Sequence, residues 1–441
     1  MLRFGASPDS IYDGRSYCAV NNSKGYIATS AGIFVLDVNT MTTTGPIQGT
    51  QSSAKGDYNS LYTLQCGDMV RFGQYVFAVQ QGVGLHVIDP ETDEVVSTLS
   101  FPDIVTVFVT ATGNLYVANN SRSIYDFGTG PFVADFTRVN PVTLAVDEVY
   151  ELDGAHGALN SWGAWRARML CVDPVHERVY YNYDEFQNHI SCYDFTTRVL
   201  TDHFIDLPEA AEINWDGTHN HQGLYASALS FDPHTGDMVV QTTEAAPMYA
   251  YQIFNHNWVL FYDAQSRQLK REVRLQDAYW FPAIALYPDA CSPTITIGDM
   301  RFKAGQRDSV DLLQAVQDAD NMPALAVTTA TSANEAVASV KISGLRMVIT
   351  ALSPGTTTIT AVTDSNGKFA SCDFTVTVTS ASVPGDVNMD GKVAIDDVTT
   401  LIDVLLGSVL CNYDPAAADV NNDGRITITD VTALIDMLLF M

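Results

Sequence analysis

One short turn signal punctuates the first two thirds of the chain. Asp37-Val38-Asn39-Thr40, Asp89-Pro90-Glu91-Thr92, Asn140-Pro141-Val142-Thr143, Asp194-Phe195-Thr196-Thr197 and Asp263-Ala264-Gln265-Ser266 share the pattern [D/N]-x-x-[T/S]. Successive copies start 52, 51, 54 and 69 residues apart. The pattern has a local cause: Asp and Asn side chains accept hydrogen bonds from their own backbone two residues on, and Ser and Thr do so more weakly. Most copies follow a strand-like run such as Gly84-Leu85-His86-Val87-Ile88 and precede another such as Glu94-Val95-Val96-Ser97-Thr98-Leu99. Another hairpin lies upstream of several copies, as in Phe231-Asp232-Pro233-His234-Thr235-Gly236-Asp237-Met238-Val239-Val240.

Four short strands repeated at this spacing is the pattern of β-propeller blades, each a twisted four-stranded sheet packed radially against the next. The fold class expected is therefore mainly β, with a multi-bladed β-propeller over residues 1–290. Five blades fit between about residue 15 and residue 276. A further inner strand, Phe281-Pro282-Ala283-Ile284-Ala285-Leu286-Tyr287-Pro288, then has no outer strands before the next segment, and residues 1–14 are too short to supply three. We expect the natural protein to carry one or two further blades and an export signal ahead of Met1; the alternative is an open or five-bladed ring.

Charge narrows the partners. The 441 residues hold 51 Asp and Glu against 23 Lys and Arg, a net charge of −28. Binding to nucleic-acid phosphates needs clustered Lys and Arg, and anionic membranes attract the same residues. Both are disfavoured, while divalent cations, neutral small molecules, glycans and proteins stay open. No apolar run approaches the ~18 residues of a transmembrane helix, so no membrane span is expected. The seven cysteines are odd in number and form no C-x-x-C pair, so they read as small buried apolar side chains.

The acids are densest at the end, where residues 384–441 hold ten Asp, one Lys and one Arg. Asp386-Val387-Asn388-Met389-Asp390-Gly391-Lys392 recurs 33 residues later as Asp419-Val420-Asn421-Asn422-Asp423-Gly424-Arg425, and 14 of 22 positions are identical between 386–407 and 419–440. This is the D-x-[DN]-x-[DN]-G calcium-loop template with Asp at position twelve. Ca²⁺ takes six to eight oxygens. Asp386, Asn388, Asp390 and Asp397 supply side-chain oxygens in the first loop, with the backbone carbonyl of Lys392. Asp419, Asn421, Asp423 and Asp430 do so in the second, with the carbonyl of Arg425. Thr427 at position nine adds a ligand directly or through water; Ala394 has none to add. Two Ca²⁺ sites are expected. Val398, Leu401, Ile402, Leu405 and Leu406, then Val431, Leu434, Ile435, Leu438 and Leu439, give each loop one following amphipathic helix. Ser382-Val383-Pro384-Gly385 blocks a helix before the first loop.

Tandem loop–helix units without an entering helix resemble the type I dockerin family, over about 58 residues. The resemblance implies a calcium-folded module, residues 384–441, that plugs into a cohesin-like partner outside the cell or on its surface. The family often carries Ser-Thr at loop positions ten and eleven; here those positions hold Ile395-Asp396 and Ile428-Thr429. Calcium folding therefore carries over residue by residue, and partner identity does not.

Residues 291–383 read as a second β domain. The runs 294–297, 324–327, 339–342, 347–349, 357–362 and 374–378 are short and mostly β-branched, with turn residues between them. The stretch Ala351-Leu352-Ser353-Pro354-Gly355-Thr356-Thr357-Thr358-Ile359-Thr360-Ala361 resembles bacterial Ig-like domains, which implies an Ig-like β-sandwich acting as a spacer. The propeller segment resembles YncE-like bacterial surface propellers of unknown function, on stretches such as Lys24-Gly25-Tyr26-Ile27-Ala28-Thr29-Ser30-Ala31-Gly32-Ile33 and Trp280-Phe281-Pro282-Ala283. Some of those relatives capture corrinoids at the outer surface.

All five Trp lie between 162 and 280. Trp162, Trp165, Trp215 and Trp280 fall in segments expected to enter an inner strand, which in a propeller open on one face. His219 and His221 share the most polar of these segments. One reading is an aromatic-rimmed pocket for a glycan or a corrinoid-type small molecule. The other is that the aromatics wedge the blades apart and the two histidines are solvated. No G-x-S-x-G or H-E-x-x-H motif occurs, and no spacing marks a pair of catalytic carboxylates. The reading reached is a non-catalytic secreted or surface binding protein; the alternative is a polysaccharide-degrading enzyme, a glycoside hydrolase or lyase, with a propeller catalytic domain.

Overall fold

The computed structural model describes residues 14–29, 31–51, 66–121, 132–158, 170–183, 187–213, 219–224, 229–232, 235–246, 251–276, 290–380, 383–407 and 412–440. Five antiparallel sheets follow one another along the first part of the chain. The first is Gly14–Ala19, Lys24–Thr29, Gly32–Asp37 and Thr42–Thr44. The second is Cys66–Phe72, Tyr75–Gln80, Gly84–Asp89 and Glu94–Ser100. The third is Ile104–Val109, Leu115–Asn120, Ala134–Val139 and Val146–Leu152. The fourth is Leu170–Val172, Arg178–Tyr181, His189–Asp194 and Val199–Asp206. The fifth is built on Leu229–Asp232, Asp237–Ala246, Tyr251–Asp263 and Leu269–Arg274.

Burial explains the composition of these strands. Ile104–Val109 and Leu115–Asn120 are buried at every residue, because each sheet is covered on both faces. The outermost strand of the second sheet, Glu94–Ser100, alternates exposed and half-buried positions. Between successive sheets lie continuous apolar layers. Tyr26, Ile33, Val76 and Ile88 join the first and second sheets. Phe77, Leu85, Val107 and Leu115 join the second and third. Phe108, Phe136, Tyr181 and Phe195 join the third and fourth, and Tyr180, Ile190, Met238 and Leu260 the fourth and fifth. Sheets stacked in chain order through such layers are propeller blades.

The repeated turns have one geometry. Asp37 Oδ1 accepts from the N–H groups of Asn39 and Thr40 at 2.9 Å each. Asn140 Oδ1 accepts from Val142 and Thr143 at 3.0 and 2.9 Å, and Asp263 Oδ1 from Gln265 and Ser266 at 3.1 and 2.7 Å. The Ser266 N–H, helped by Lys270, holds the Asp263 carboxyl down at about 2. The residue after each motif, Met41, Asp93, Leu144, Arg198 or Arg267, adopts φ between 54° and 62°. That left-handed residue completes a hairpin built on a type I turn, and none of the five is glycine.

The fifth sheet departs from the repeat. Glu209–Ile213 and His219–Gly223 form a hairpin, and His219–Gly223 pairs with the far end of Asp237–Ala246. The expected polar loop around His219 and His221 is therefore, over 219–223, a strand. Long partners make room for it: Tyr251–Asp263 has 13 residues, against 6 in the corresponding strand of the third sheet.

Residues 290–380 form two sheets over one core. Met300–Lys303, Lys368–Thr379, Gly355–Ser365 and Val327–Ser332 make one, with the first pair parallel; Arg307–Asp311, Arg346–Ala351 and Ala338–Ser343 make the other. Met347, Ile349, Ile359, Phe374 and Val376 are buried between them. The expected run 324–327 is split, because Pro323–Leu325 forms a 3-10 turn before the strand opens at Val327. Met300–Lys303 and Arg307–Asp311 escape sequence reading because they carry several charges and bury only Phe302 fully.

This domain sits on the propeller rather than standing away from it. Leu313, Ala324 and Leu345 join the apolar layer between the second and third blades. Gly113, at φ +78°, lies so close that a Cβ there would stand 2.1 Å from Leu345 Cδ1; Gly344 meets Val142, and Gly367 meets Asn22. Asn22 and Gly113 lie in turns between first and second strands, and Val142 between third and fourth. In antiparallel sheets both kinds of turn open on the same face. The docked domain therefore covers one face of the propeller, and the opposite face holds the second-to-third-strand connections.

In the tail, helices Ile395–Leu405 and Ile428–Phe440 and the short helix Pro415–Ala418 enclose Val387, Val398, Leu401, Ala418, Val431 and Leu434. Lys303 Nζ pairs with the Asp414 carboxylate at 3.1 Å, linking tail and middle domain. Only part of each expected apolar stripe faces this core: Leu406 and Leu439 are exposed, as are Ile402, Leu405 and Ile435 to a lesser degree. Among the described residues no helix is long and apolar enough to cross a membrane.

Candidate calcium and ligand sites

The two acidic loops have the same internal bonds. Asp386 Oδ1 accepts from the Asp390 N–H at 3.0 Å and Oδ2 from Gly391 at 3.0 Å; Asp419 does the same with Asp423 and Gly424, at 3.0 and 2.9 Å. Asn388 Oδ1 and Asn421 Oδ1 accept from Asp390 and Asp423, each at 2.9 Å. Asp390 Oδ1 and Asp423 Oδ1 accept from Lys392 and Arg425, also at 2.9 Å. Gly391 and Gly424 take φ of 87° and 81° at the sharp turn, and Met389 and Asn422 take 64° and 57° at position four. Sequence reading found the glycines and missed the left-handed residue at position four, which no residue type announces.

Position twelve closes each loop. Asp397 receives the N–H groups of Asn388 and Ala394 at 3.0 and 2.8 Å, and Asp430 those of Asn421 and Thr427 at 3.2 and 2.9 Å. Both side chains are fully buried. Burial pushes the Asp430 carboxyl up, but the N–H groups of Thr427, Asn421 and Val420 outweigh it and hold the group below the ordinary value. An ionised carboxylate has about four lone-pair positions, so two N–H bonds leave others free for a cation. The donor set of hard oxygens, three carboxylates per loop, fits Ca²⁺. The Thr427 hydroxyl bonds Thr429 Oγ1 at 2.6 Å, and its oxygen accepts from the Thr429 N–H at 3.2 Å, as a helix cap does. Ala394 lacks this cap.

On the propeller, Trp162, Trp165, Trp215 and Trp280 lie outside the described residues, as does the expected strand 281–288. For His219 only the backbone is described, and His221 is half-buried on the added hairpin. Sequence reading missed a collar of buried polar side chains at the face opposite the docked domain. Gln80, Asn119, Asn120, Asn182 and Glu244 lie at or near the ends of second strands, His86 and His189 near the starts of third strands, and Asn257 midway along Tyr251–Asp263. Gln80 Oε1 bonds His86 Nε2 at 2.6 Å, and Asn119 Nδ2 donates to Asp135 Oδ1 at 2.7 Å.

The collar is richest in the fifth blade. Glu244 has no exposed surface; its Oε1 accepts from Asn220 Nδ2 at 2.7 Å and its Oε2 contacts His256 Nδ1. Gln222 accepts from Thr242 Oγ1 at 2.6 Å and donates to Glu272 Oε1 at 2.8 Å. Among the described residues, Asn119 Oδ1, Asn220 Oδ1 and Gln241 Oε1 are buried without a hydrogen-bond partner. The buried thiol of Cys192 is pushed up to about 12, which keeps it protonated and inert.

Stacked four-stranded blades and a tail with paired acidic loops define a modular β-propeller protein with a small helical module at its end. The family described as a domain of unknown function, DUF5074, matches residues 3–288, and the chain belongs to it. Residues 384–439 match the dockerin type I domain; dockerin domains bind Ca²⁺. Among solved structures, a quinonprotein alcohol dehydrogenase-like protein from Bacteroides thetaiotaomicron is 12% identical over 62% of this chain and 57% of its own, with a TM-score of 0.38. Regucalcin, a calcium-binding protein from Agrobacterium tumefaciens, is 12% identical over 59% and 73%, with a TM-score of 0.34. The WD40 domain of Toxoplasma gondii coronin is 9% identical over 60% and 59%, also at 0.34. The chain spans 62%, 61% and 57% of the first structures it resembles. No curated protein matches it.

Proposed function

We propose that the protein is a non-catalytic binding protein working outside the cell or on its surface. In this reading the propeller holds a small molecule, a glycan or a corrinoid-type ring, at its polar face. The dockerin, folded by two Ca²⁺ ions, fixes it to a cohesin-like partner. One observation carries the binding half: the docked β domain covers one propeller face, while buried polar side chains such as Gln80, His86, Asn119, Asn220 and Glu244 lie toward the other. Trp215 and Trp280 flank the fifth-blade strands in sequence, which adds aromatic surface for a ring to this reading. The attachment half rests on the exposed Ile395, Leu406, Ile428, Leu439 and Phe440, which two short helices present to solvent. Exposed apolar side chains on both helices offer surface for a protein–protein contact.

Calorimetric screening of the full chain in calcium against glycans and corrinoids tests the binding half. A ligand is expected to bind and to weaken about tenfold in Asn220→Ala, the loss of one net hydrogen bond. Release of shortened glycans would replace this reading with a polysaccharide-degrading enzyme, and binding of neither class would remove it.

A further inference from the structure

We propose that the middle domain is the clasp of the propeller: in place of a spacer, it locks the first three blades against one another. The pattern of contacts carries this. The chain leaves the fifth blade at Arg274 and arrives in the middle domain at Ala290, yet the domain rests on the first, second and third blades. Those are the blades farthest from it in sequence. Each described blade is built from consecutive strands of its own, so no described sheet fastens the first blades by sharing strands with the last.

Two hairpin turns and two helical turns make the seat. The turn at Gly367, between Gly355–Ser365 and Lys368–Thr379, meets the first blade; a Cβ on that glycine would stand 2.1 Å from Asn22 Oδ1. The turn at Gly344-Leu345, between Ala338–Ser343 and Arg346–Ala351, meets the other two. A Cβ on Gly73 of the second blade would lie 3.8 Å from Gly344 Cα, and one on Gly113 of the third would lie 2.1 Å from Leu345 Cδ1 and 3.5 Å from Leu313 Cδ1. Leu313, in the short helix Leu312–Ala315, and Ala324, in the 3-10 turn Pro323–Leu325, enter the same apolar layer as Leu345. None of the three belongs to the core of their own domain. Their apolar surface leaves water only at the seam between the second and third blades, which favours the closed arrangement.

A charge ties the seam between the first and second blades. Arg71, on the second blade, donates to the carbonyl of Val20 on the first. Burial pulls the Arg71 guanidinium below its ordinary value, and the Asp364 carboxylate of the middle domain is one of the charges that resist this. At the entry to the domain, Asp320 Oδ2 accepts from the N–H groups of Ala290 and Cys291 at 2.6 and 2.7 Å, which fixes the arriving chain. The apolar layer between the third and fourth blades contains no described residue of the middle domain. That seam has ties of its own: Glu177 Oε1 accepts from Asn114 Nδ2 at 2.9 Å and from the Tyr116 hydroxyl at 3.0 Å. A domain seated on three neighbours raises the cost of opening any one of them, because the seat must break first.

Hydrogen exchange of the full chain in calcium, read by mass spectrometry, tests the clasp. Leu345→Asp places a charge in the seam and leaves the core of the middle domain intact. Exchange in Tyr75–Gln80 and Leu115–Asn120 is expected to speed roughly tenfold or more, with His189–Asp194 of the fourth blade unchanged. Continued protection of Gly355–Ser365 reports that the middle domain stays folded. Leu345→Ala is the milder variant and should give the same pattern at smaller size. Leu352→Ser is the control, half-exposed at the other end of strand Arg346–Ala351, and should change none of these rates. Unchanged exchange in the two blade strands of either Leu345 variant, with the middle domain folded, overturns the clasp, as does equal acceleration by Leu352→Ser.

Discussion

Chelating calcium is expected to unfold residues 384–440 while the propeller stays folded. Among the described residues the tail core is Val387, Val398, Leu401, Ala418, Val431 and Leu434, with five other apolar residues partly packed against it. So small a core does not offset the ordering of its chain. Each loop also gathers three carboxylates, and Asp397 and Asp430 are fully buried. Without a cation the three carboxylates of each loop repel one another at close range, which the backbone N–H bonds to them only partly offset. A ligand present at 1,000 times its Kd stabilises the folded state by about 4 kcal/mol, so two such sites contribute about 8 kcal/mol, comparable to the whole stability of a small domain. Circular dichroism should lose the signal of Ile395–Leu405 and Ile428–Phe440 on adding EDTA and recover it with excess Ca²⁺. A helical signal indifferent to EDTA would contradict this account.

The other large effect is expected in the aromatic layer between the third and fourth blades. Phe136 is fully buried, with ring centroids at 6.0 Å to Phe108, 5.5 Å to Tyr181, 5.4 Å to Tyr193 and 5.4 Å to Phe195. Cutting it to alanine opens a cavity that stiff ring neighbours cannot fill, and should cost about 3–5 kcal/mol. Val133, two-thirds exposed just before the same strand, is the control, and its change to alanine should stay within about 0.5 kcal/mol. Denaturant unfolding of the propeller measures both. The tail's response to Ca²⁺ should be the same in the two variants, because its core shares no residue with that layer. A Phe136→Ala cost below about 1 kcal/mol would mean that the blades are not held together through this layer.

What the sequence reveals follows the range of the forces involved. The acidic loops are legible because every candidate ligand lies within twelve residues and Ca²⁺ favours oxygen donors at that spacing. The blade rhythm is legible because each turn is closed by its own Asp or Asn, as at Asp37 and Asn140. Long-range features are hidden. His189 meets Asp202 and His203 only through a bulge, and Glu244 meets His256 only across a strand pair. The seat of the middle domain depends on Leu345 reaching Gly113, more than 200 residues away. Helix periodicity overstates what is buried: Leu406 and Leu439 keep the apolar period yet point to solvent, since the partner helix covers only the Leu401 and Leu434 side. The polar collar is built from single residues at strand ends, and no local pattern announces it.

The tail is expected to act as a calcium-dependent attachment module. Retention of the full chain on immobilised cohesin domains, in calcium and in EDTA, tests it most directly. The account predicts retention in calcium that is lost in EDTA and lost again, with calcium present, when Asp397→Ala and Asp430→Ala are combined. Failure of the calcium-loaded, folded chain to bind any cohesin, or binding that survives both EDTA and the paired substitutions, would contradict it.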